Sequence, residues 1–260
     1  MHLQDLLAVL CGALVGLSLG MIGGGGSVLA TPLLLYVVGV RDPHVAIGTS
    51  ASAVALNAFA NLAQHARSGT VKWPCAITFA LSGVAGALLG STAGKLVDGQ
   101  KLLALFALVM VGVAISMLRN RSAAGDPTVR LNARIAPRLI ATGFAAGLLS
   151  GFFGIGGGFL IVPGLMLASG MPILNAVGSS LASVGVFGTA TAANYAISGL
   201  VDWRVAGFFI AGGIVGGAFG MRLAIRLASQ RAALTRVFAA VLIGVAAYVL
   251  YRSLGALGVV

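Results

Sequence analysis

Glutamate is absent from this 260-residue chain, whose whole acidic complement is Asp5, Asp42, Asp98, Asp126 and Asp202. Without paired carboxylates there is no general acid–base couple to assign. Histidine occurs only at His2, His44 and His65, with no His-Glu-x-x-His and no other metal-ligand spacing. The sequence offers no catalytic residue, no metal centre and no cofactor motif, and reads as a non-enzyme. Cysteine is as scarce. Cys11 and Cys75 lie in apolar stretches and read as small buried hydrophobes, which excludes a disulfide framework, a zinc site and a redox pair.

Apolar residues fill the space that charge leaves. Hydrophobic residues make up 59% and charged residues 8% of the chain, and the mean hydropathy is +1.06. A soluble protein of this composition would have too little polar surface to face water. Apolar runs of about twenty residues recur, enough to cross roughly 30 Å of hydrocarbon, whereas a β-barrel would show alternating segments of about ten. The expected class is an all-α polytopic membrane protein. Its segments fall at roughly 3–22, 27–40, 44–66, 73–97 and 100–119, then 135–153, 158–170, 173–198, 203–227 and 233–252. The second of each set is short for a span. It reads as a glycine-broken or re-entrant segment, so eight to ten transmembrane helices are expected. The first segment carries Asp5 and no Lys or Arg, and reads as a retained helix, not a cleaved signal.

The chain states its pattern twice. Gly16-Leu17-Ser18-Leu19-Gly20-Met21-Ile22-Gly23-Gly24-Gly25-Gly26-Ser27 with Pro32 returns as Gly147-Leu148-Leu149-Ser150-Gly151-Phe152-Phe153-Gly154-Ile155-Gly156-Gly157-Gly158 with Pro163, at an offset of 131. After one deletion the offset is 130, pairing Gly48 with Gly178, Ser50 with Ser180, Ser68-Gly69 with Ser198-Gly199, Val71 with Val201 and Gly90 with Gly220. The two tryptophans, Trp73 and Trp203, are partners in this register. The reading is a duplicated unit: a first repeat at 1–120, a cytoplasmic linker at 121–134 and a second repeat at 135–252.

A net charge of +11 raises nucleic acid as a partner. The basic residues sit at segment ends without interleaved aromatics, so that partner is excluded in favour of the lipid bilayer. Arg119, Arg121, Arg130, Arg134 and Arg138 crowd the mid-chain connection, and Arg222, Arg226, Arg231 and Arg236 the last one. The equivalent loop of the first half, around Lys95, Asp98 and Lys101, is nearly neutral. With both basic clusters cytoplasmic, the halves cross an odd number of times each and form inverted-topology repeats.

Within the apolar segments the polar candidates are small. The runs Gly23, Gly24, Gly25, Gly26, Ser27 and Gly154, Gly156, Gly157, Gly158 read either as helix breaks whose amides line a substrate site or as packing surfaces. The third segment of each half opens with Thr49 and Ser50, matched by Ser179 and Ser180. Their hydroxyls and the unpaired N–H groups of a helix start suit an oxyanion, the alternative being that they only let helices pack closely. Further along, Asn57, Asn61, Gln64 and His65 stand against Thr191, Asn194 and Tyr195. They read as pathway lining or as interhelical hydrogen-bonding groups. Arg41 with His44, and Arg67 with Lys72, read as interfacial anchors.

These features resemble the sulfite exporter TauE/SafE family, in the toluene-sulfonate uptake permease group. The glycine runs followed by proline carry the resemblance (Gly23–Pro32 and Gly154–Pro163), with the Gly-Thr-Ser and Gly-Ser-Ser starts at Gly48 and Gly178. The blocks Ser68–Trp73 and Ser198–Trp203 complete it. The resemblance spans about residues 10–252 and implies a carrier of sulfite, organosulfonates or other small organic anions in the bacterial inner membrane. Export is the expected direction, and a homodimer remains open. A passive anion channel and a non-transporting scaffold subunit are the alternatives. No aspartate is expected at membrane depth. His65 is then the one interior titrator, faced by Tyr195 in the other half, and the anion is expected to move on its own gradient and the membrane potential.

Overall fold

Six long apolar helices form the body of the molecule. The structure, a computed structural model, describes residues 3–119, 125–126, 128–154, 158–226 and 243–252. Helix α1 (Leu3–Ile22) runs into a 3₁₀ turn (Gly23–Leu29), the short α2 (Ala30–Leu33) and a π turn (Leu34–Val38). Then follow α3 (Pro43–Arg67), α4 (Trp73–Lys95) and α5 (Gly99–Arg119). The second half repeats the series as α6 (Ile135–Phe153), α7 (Gly158–Ser169), α8 (Ile173–Ile197) and α9 (Trp203–Arg226), closing on α10 (Ile243–Arg252). Helices α1, α3, α4, α6, α8 and the Trp203–Leu223 part of α9 are long and apolar enough to cross a membrane. Gly26–Val38, Gly99–Gly112, Leu160–Ser169 and α10 are shorter apolar helices. The short second segment of each half is thus found as expected. The basic cluster around Arg231 and Arg236 lies outside the described residues.

Three of the aspartates stand at helix starts, where their charge meets free backbone N–H groups, and Asp126 accepts from Thr128 in the mid-chain connection. Asp42 Oδ1 accepts from His44 N at 2.7 Å to start α3, Asp98 caps α5, and Asp202 accepts from Val205 N at 3.0 Å in the first turn of α9. The helices also stop where the sequence predicts. Gly23 (φ 69°) ends α1 and Gly154 (φ 65°) ends α6, both in the left-handed region that a side chain disfavours.

Helix pairing joins the halves and does not separate them. Gly12, Gly16 and Gly20 of α1 lie on Phe209, Gly213 and Gly217 of α9, so these helices run parallel at near backbone contact. Gly83, Gly86 and Gly90 of α4 meet Gly143, Phe144 and Leu148 of α6 in the same way, again parallel. Small residues permit this closeness, which gives packing energy where lipid supplies no hydrophobic drive. The third helices cross differently. Gly188 of α8 meets Ala51 and Ala55 of α3, while Gly185 meets Phe59, so the sequence numbers run in opposite directions and the pair is antiparallel. The result is a crossed α3–α8 pair, with α1–α9 beside α3 and α4–α6 beside α8. One buried core, including Leu19, Leu34, Phe79, Leu139, Phe187 and Phe209, draws on both repeats. A second cluster packs Leu102, Phe106 and Met110 of α5 on Val28, Ile47, Phe153 and Tyr195. Cys11 and Cys75 are buried and unpaired.

Candidate substrate site

The two glycine segments touch at the centre of the crossed pair. A Cβ at Gly24 would collide with the Gly158 backbone, and one at Gly158 with Gly24. Around this contact each third helix holds the other half's glycine segment. Gly24 N donates to Ser180 Oγ at 3.2 Å, and Ser180 Oγ donates to Val177 O at 2.8 Å. Ser50 Oγ lies 2.7 Å from Thr31 Oγ1, 2.9 Å from Ile47 O and 3.5 Å from Gly154 O. Ser27 Oγ closes the first segment on Gly24 O at 2.8 Å. Gly26 packs on the last turns of α1 at Ser18 and Leu19. Gly25 belongs to the same 3₁₀ turn, whereas Gly156 and Gly157 lie outside the described residues.

Thr49 and Ser179 do related work one residue earlier. Thr49 Oγ1 accepts from Asp202 N and Ser179 Oγ accepts from Lys72 N, both at 2.9 Å. Each third helix thereby holds the start of the other half's fourth helix. As acceptors, both hydroxyls keep their own proton available for donation. Ser27, Thr31, Thr49, Ser50, Ser179 and Ser180 are all buried, so this arrangement is occluded. Thr31 was not visible as a site residue in the sequence because its register partner is Val162, and the repeat drew attention only to matched polar positions.

The polar residues farther along divide into two groups. On α3, Asn57, Asn61 and His65 recur at every fourth position, sharing one face. Asn61 Nδ2 donates to Asn57 O at 2.8 Å. His65 bridges elements, with Nδ1 3.0 Å from Thr70 Oγ1 and Nε2 3.4 Å from Gly20 O. Gln64 is half-buried nearby. On α8, Thr191 and Tyr195 are buried with hydroxyls that lack a partner. Asn194 is tied to α4: its Nδ2 donates to Ser91 Oγ at 2.6 Å, and its Oδ1 accepts from Lys95 Nζ at 2.8 Å. Lys95 also sits 5.9 Å from the Tyr195 ring centroid. The sequence marked Lys95 only as a loop charge, and nothing in its spacing pointed to α8.

Among the described residues the buried polar set is hydroxyls and carboxamides with His65, the one buried acid being Asp5 at the start of α1. Asp5 pairs with Arg204 at 2.9 Å. Around the Gly24–Gly158 contact the buried polar side chains are thus neutral hydroxyls, while the cation Lys95 is held at Asn194.

The profile of a family described as Sulfite exporter TauE/SafE matches residues 8–249. A "Probable membrane transporter protein" of Xylella fastidiosa (strain 9a5c) is 53% identical over 255 residues, covering 97% of this chain and 98% of that one. The "Probable membrane transporter protein YunE" of Bacillus subtilis (strain 168) is 26% identical over 272 residues, covering 95% and 98%. No solved structure matches the chain.

Proposed function

Because this chain belongs to the sulfite exporter TauE/SafE family, we propose that it is a secondary transporter that exports a small sulfur-containing or organic oxyanion across the bacterial inner membrane. The observation that carries the reading is the mutual hold at the centre. Two broken helices meet at Gly24 and Gly158, and hydroxyls from the opposite third helices bond to their backbones. Broken helices at an interface between repeats are where carriers bind substrate, because the freed amides can turn inward to a cavity. Thr49 and Ser179 are the hydroxyl donors of this reading, Ser50 and Ser180 position the glycine segments, and the amides of Gly23–Ser27, Gly154 and Gly158 complete two half-sites.

Inverted repeats fit the same mechanism. Equivalent helices α3 and α8 run antiparallel, which supports halves inserted in opposite orientations and rocking about a shared site. Neutral donors leave the charge of the anion uncompensated, so an inside-negative potential favours export by roughly 2.3 kcal/mol per charge per 100 mV.

Two measurements test the proposal. Purified protein heated with sulfite, thiosulfate, sulfoacetate or simple carboxylates should be stabilised by the sulfur oxyanions. Proteoliposomes should then show saturable counterflow of the stabilising anion. Flux without counterflow would indicate a passive channel, and no stabilisation with no flux would leave a non-transporting scaffold. For orientation, Ser68→Cys and Ser198→Cys, equivalent and exposed at the third-helix ends, should label from opposite sides of the membrane. Labelling of both from one side would rule out inversion.

A further inference from the structure

Asn57 and Asn61 are buried on α3, and the Asn57 carboxamide has no hydrogen-bond partner at either atom; Asn61 Oδ1 has none either. Both side chains point into glycine surfaces of the neighbouring pair. The Asn57 carboxamide is the nearest group to Gly213, and that of Asn61 lies against Gly217 of α9 and Gly20 of α1. In the other half the register puts Phe187 and Thr191 at these positions. The Phe187 ring fills the glycine notch at Gly83 and stacks on Phe79 with centroids 6.3 Å apart.

Resting on the transporter reading, we propose that the seam between α3 and the α1–α9 pair is the gate by which the oxyanion reaches the hydroxyl cluster. Asn57 and Asn61 are its lining donors, and the seam between α8 and the α4–α6 pair stays shut. A packed seam with unpartnered amides gains hydrogen bonds when it opens, to water or to the oxygens of a sulfonate. The α8 seam also holds unpartnered hydroxyls, on Thr191 and Tyr195, but it is closed at Phe187 by stacked phenylalanines that lose contact when it opens. The first seam also has a body that can move as one, since α1 and α9 interlock through Gly12, Gly16 and Gly212 and are tied by Asp5–Arg204. Asn57 stands seven residues from Ser50, about two turns along the same face, so the opened seam would lead onto the central hydroxyls. The outer end of this stripe is His65, held to α1 at Gly20.

The test is accessibility of four positions in a protein with Cys11 and Cys75 replaced by alanine. Asn57→Cys, Asn61→Cys, Phe187→Cys and Thr191→Cys variants are reconstituted and exposed to the anionic thiol reagent methanethiosulfonate ethylsulfonate, and modification is followed by intact mass. The first two should react about tenfold faster than the second two, because a seam that opens locally exposes its lining. Thr191→Cys is nearly isosteric, so it serves as the closed-seam reference even if Phe187→Cys folds poorly. Equal rates across the seams, faster reaction at Thr191→Cys, or no reaction at both asparagine positions would overturn the gate. Modification needs no transported substrate. Absence of anion flux in the same vesicles would therefore count against the transport reading, while a seam-specific pattern would leave the gate standing.

Discussion

The two halves repeat one design of glycine-lined notches with opposite contents. Beside α3, the notches of α1 and α9 receive the carboxamides of Asn57 and Asn61; beside α8, the notch at Gly83 receives the ring of Phe187. A buried unsatisfied amide group costs about 1–3 kcal/mol, whereas the packed Phe79–Phe187 rings add roughly 0.5–1.5 kcal/mol of aromatic contact. Equal backbones therefore carry unequal stabilities. A duplicated membrane protein can keep its symmetric frame and still make one side the easier to open, by changing the side chain that enters a notch.

The largest effect is expected where the halves are alike. Gly24→Leu and Gly158→Leu each force a side chain into the opposite backbone, and each should lower anion flux by roughly a hundredfold or more while membrane insertion is retained. Near-normal flux in either variant would mean that the glycine contact is packing alone.

Where the halves differ, the sign of the effect should differ too. Phe187→Ala should destabilise the purified protein by about 3 kcal/mol through the cavity it leaves beside Gly83 and Phe79. Asn57→Leu should instead raise stability, by about 1 kcal/mol, because it removes an unpartnered amide. Thermal unfolding in detergent reads both, and destabilisation by Asn57→Leu as large as that by Phe187→Ala would erase the contrast between the seams.

Smaller changes sharpen the comparison. Ser180→Ala removes the acceptor of Gly24 N and should weaken anion-dependent stabilisation about fivefold, on the order of one hydrogen bond. His65→Ala opens the link from α3 to Gly20 and Thr70. Its proteoliposomes should keep efflux driven by an imposed potential within about twofold, since the expected driving force is the charge of the anion. Complete loss of that efflux, with anion-dependent stabilisation intact, would assign a proton relay to His65. The smallest effect concerns Asp5–Arg204, whose register partners Ala136 and Pro74 cannot form an ion pair. Arg204 is 60% exposed and its partner Asp5 is buried, so Arg204→Ala should cost about 1 kcal/mol, more than an exposed pair but reduced by screening as salt rises.

The amino-acid sequence by itself determined the membrane class, the bounds of the long helices and the places where they break. Each depends on local chemistry: apolar length against bilayer thickness, aspartate at a helix start, glycine where φ turns positive. The repeat register likewise set Asn61 against Thr191 and His65 against Tyr195. Only the tertiary structure decided that the first helix of each half pairs with the fourth of the other, that Ser50 and Ser180 bond to the opposite glycine segments, and that Lys95 reaches Asn194. The reason lies in the segments themselves. Glycines at every fourth position mark a face for close packing, as at Gly12, Gly16 and Gly20, but with no hydrophobic drive between helices in lipid nothing in the spacing names the partner. Which surfaces meet is set by the fit of small residues across the contact, and that fit exists only once two helices are side by side.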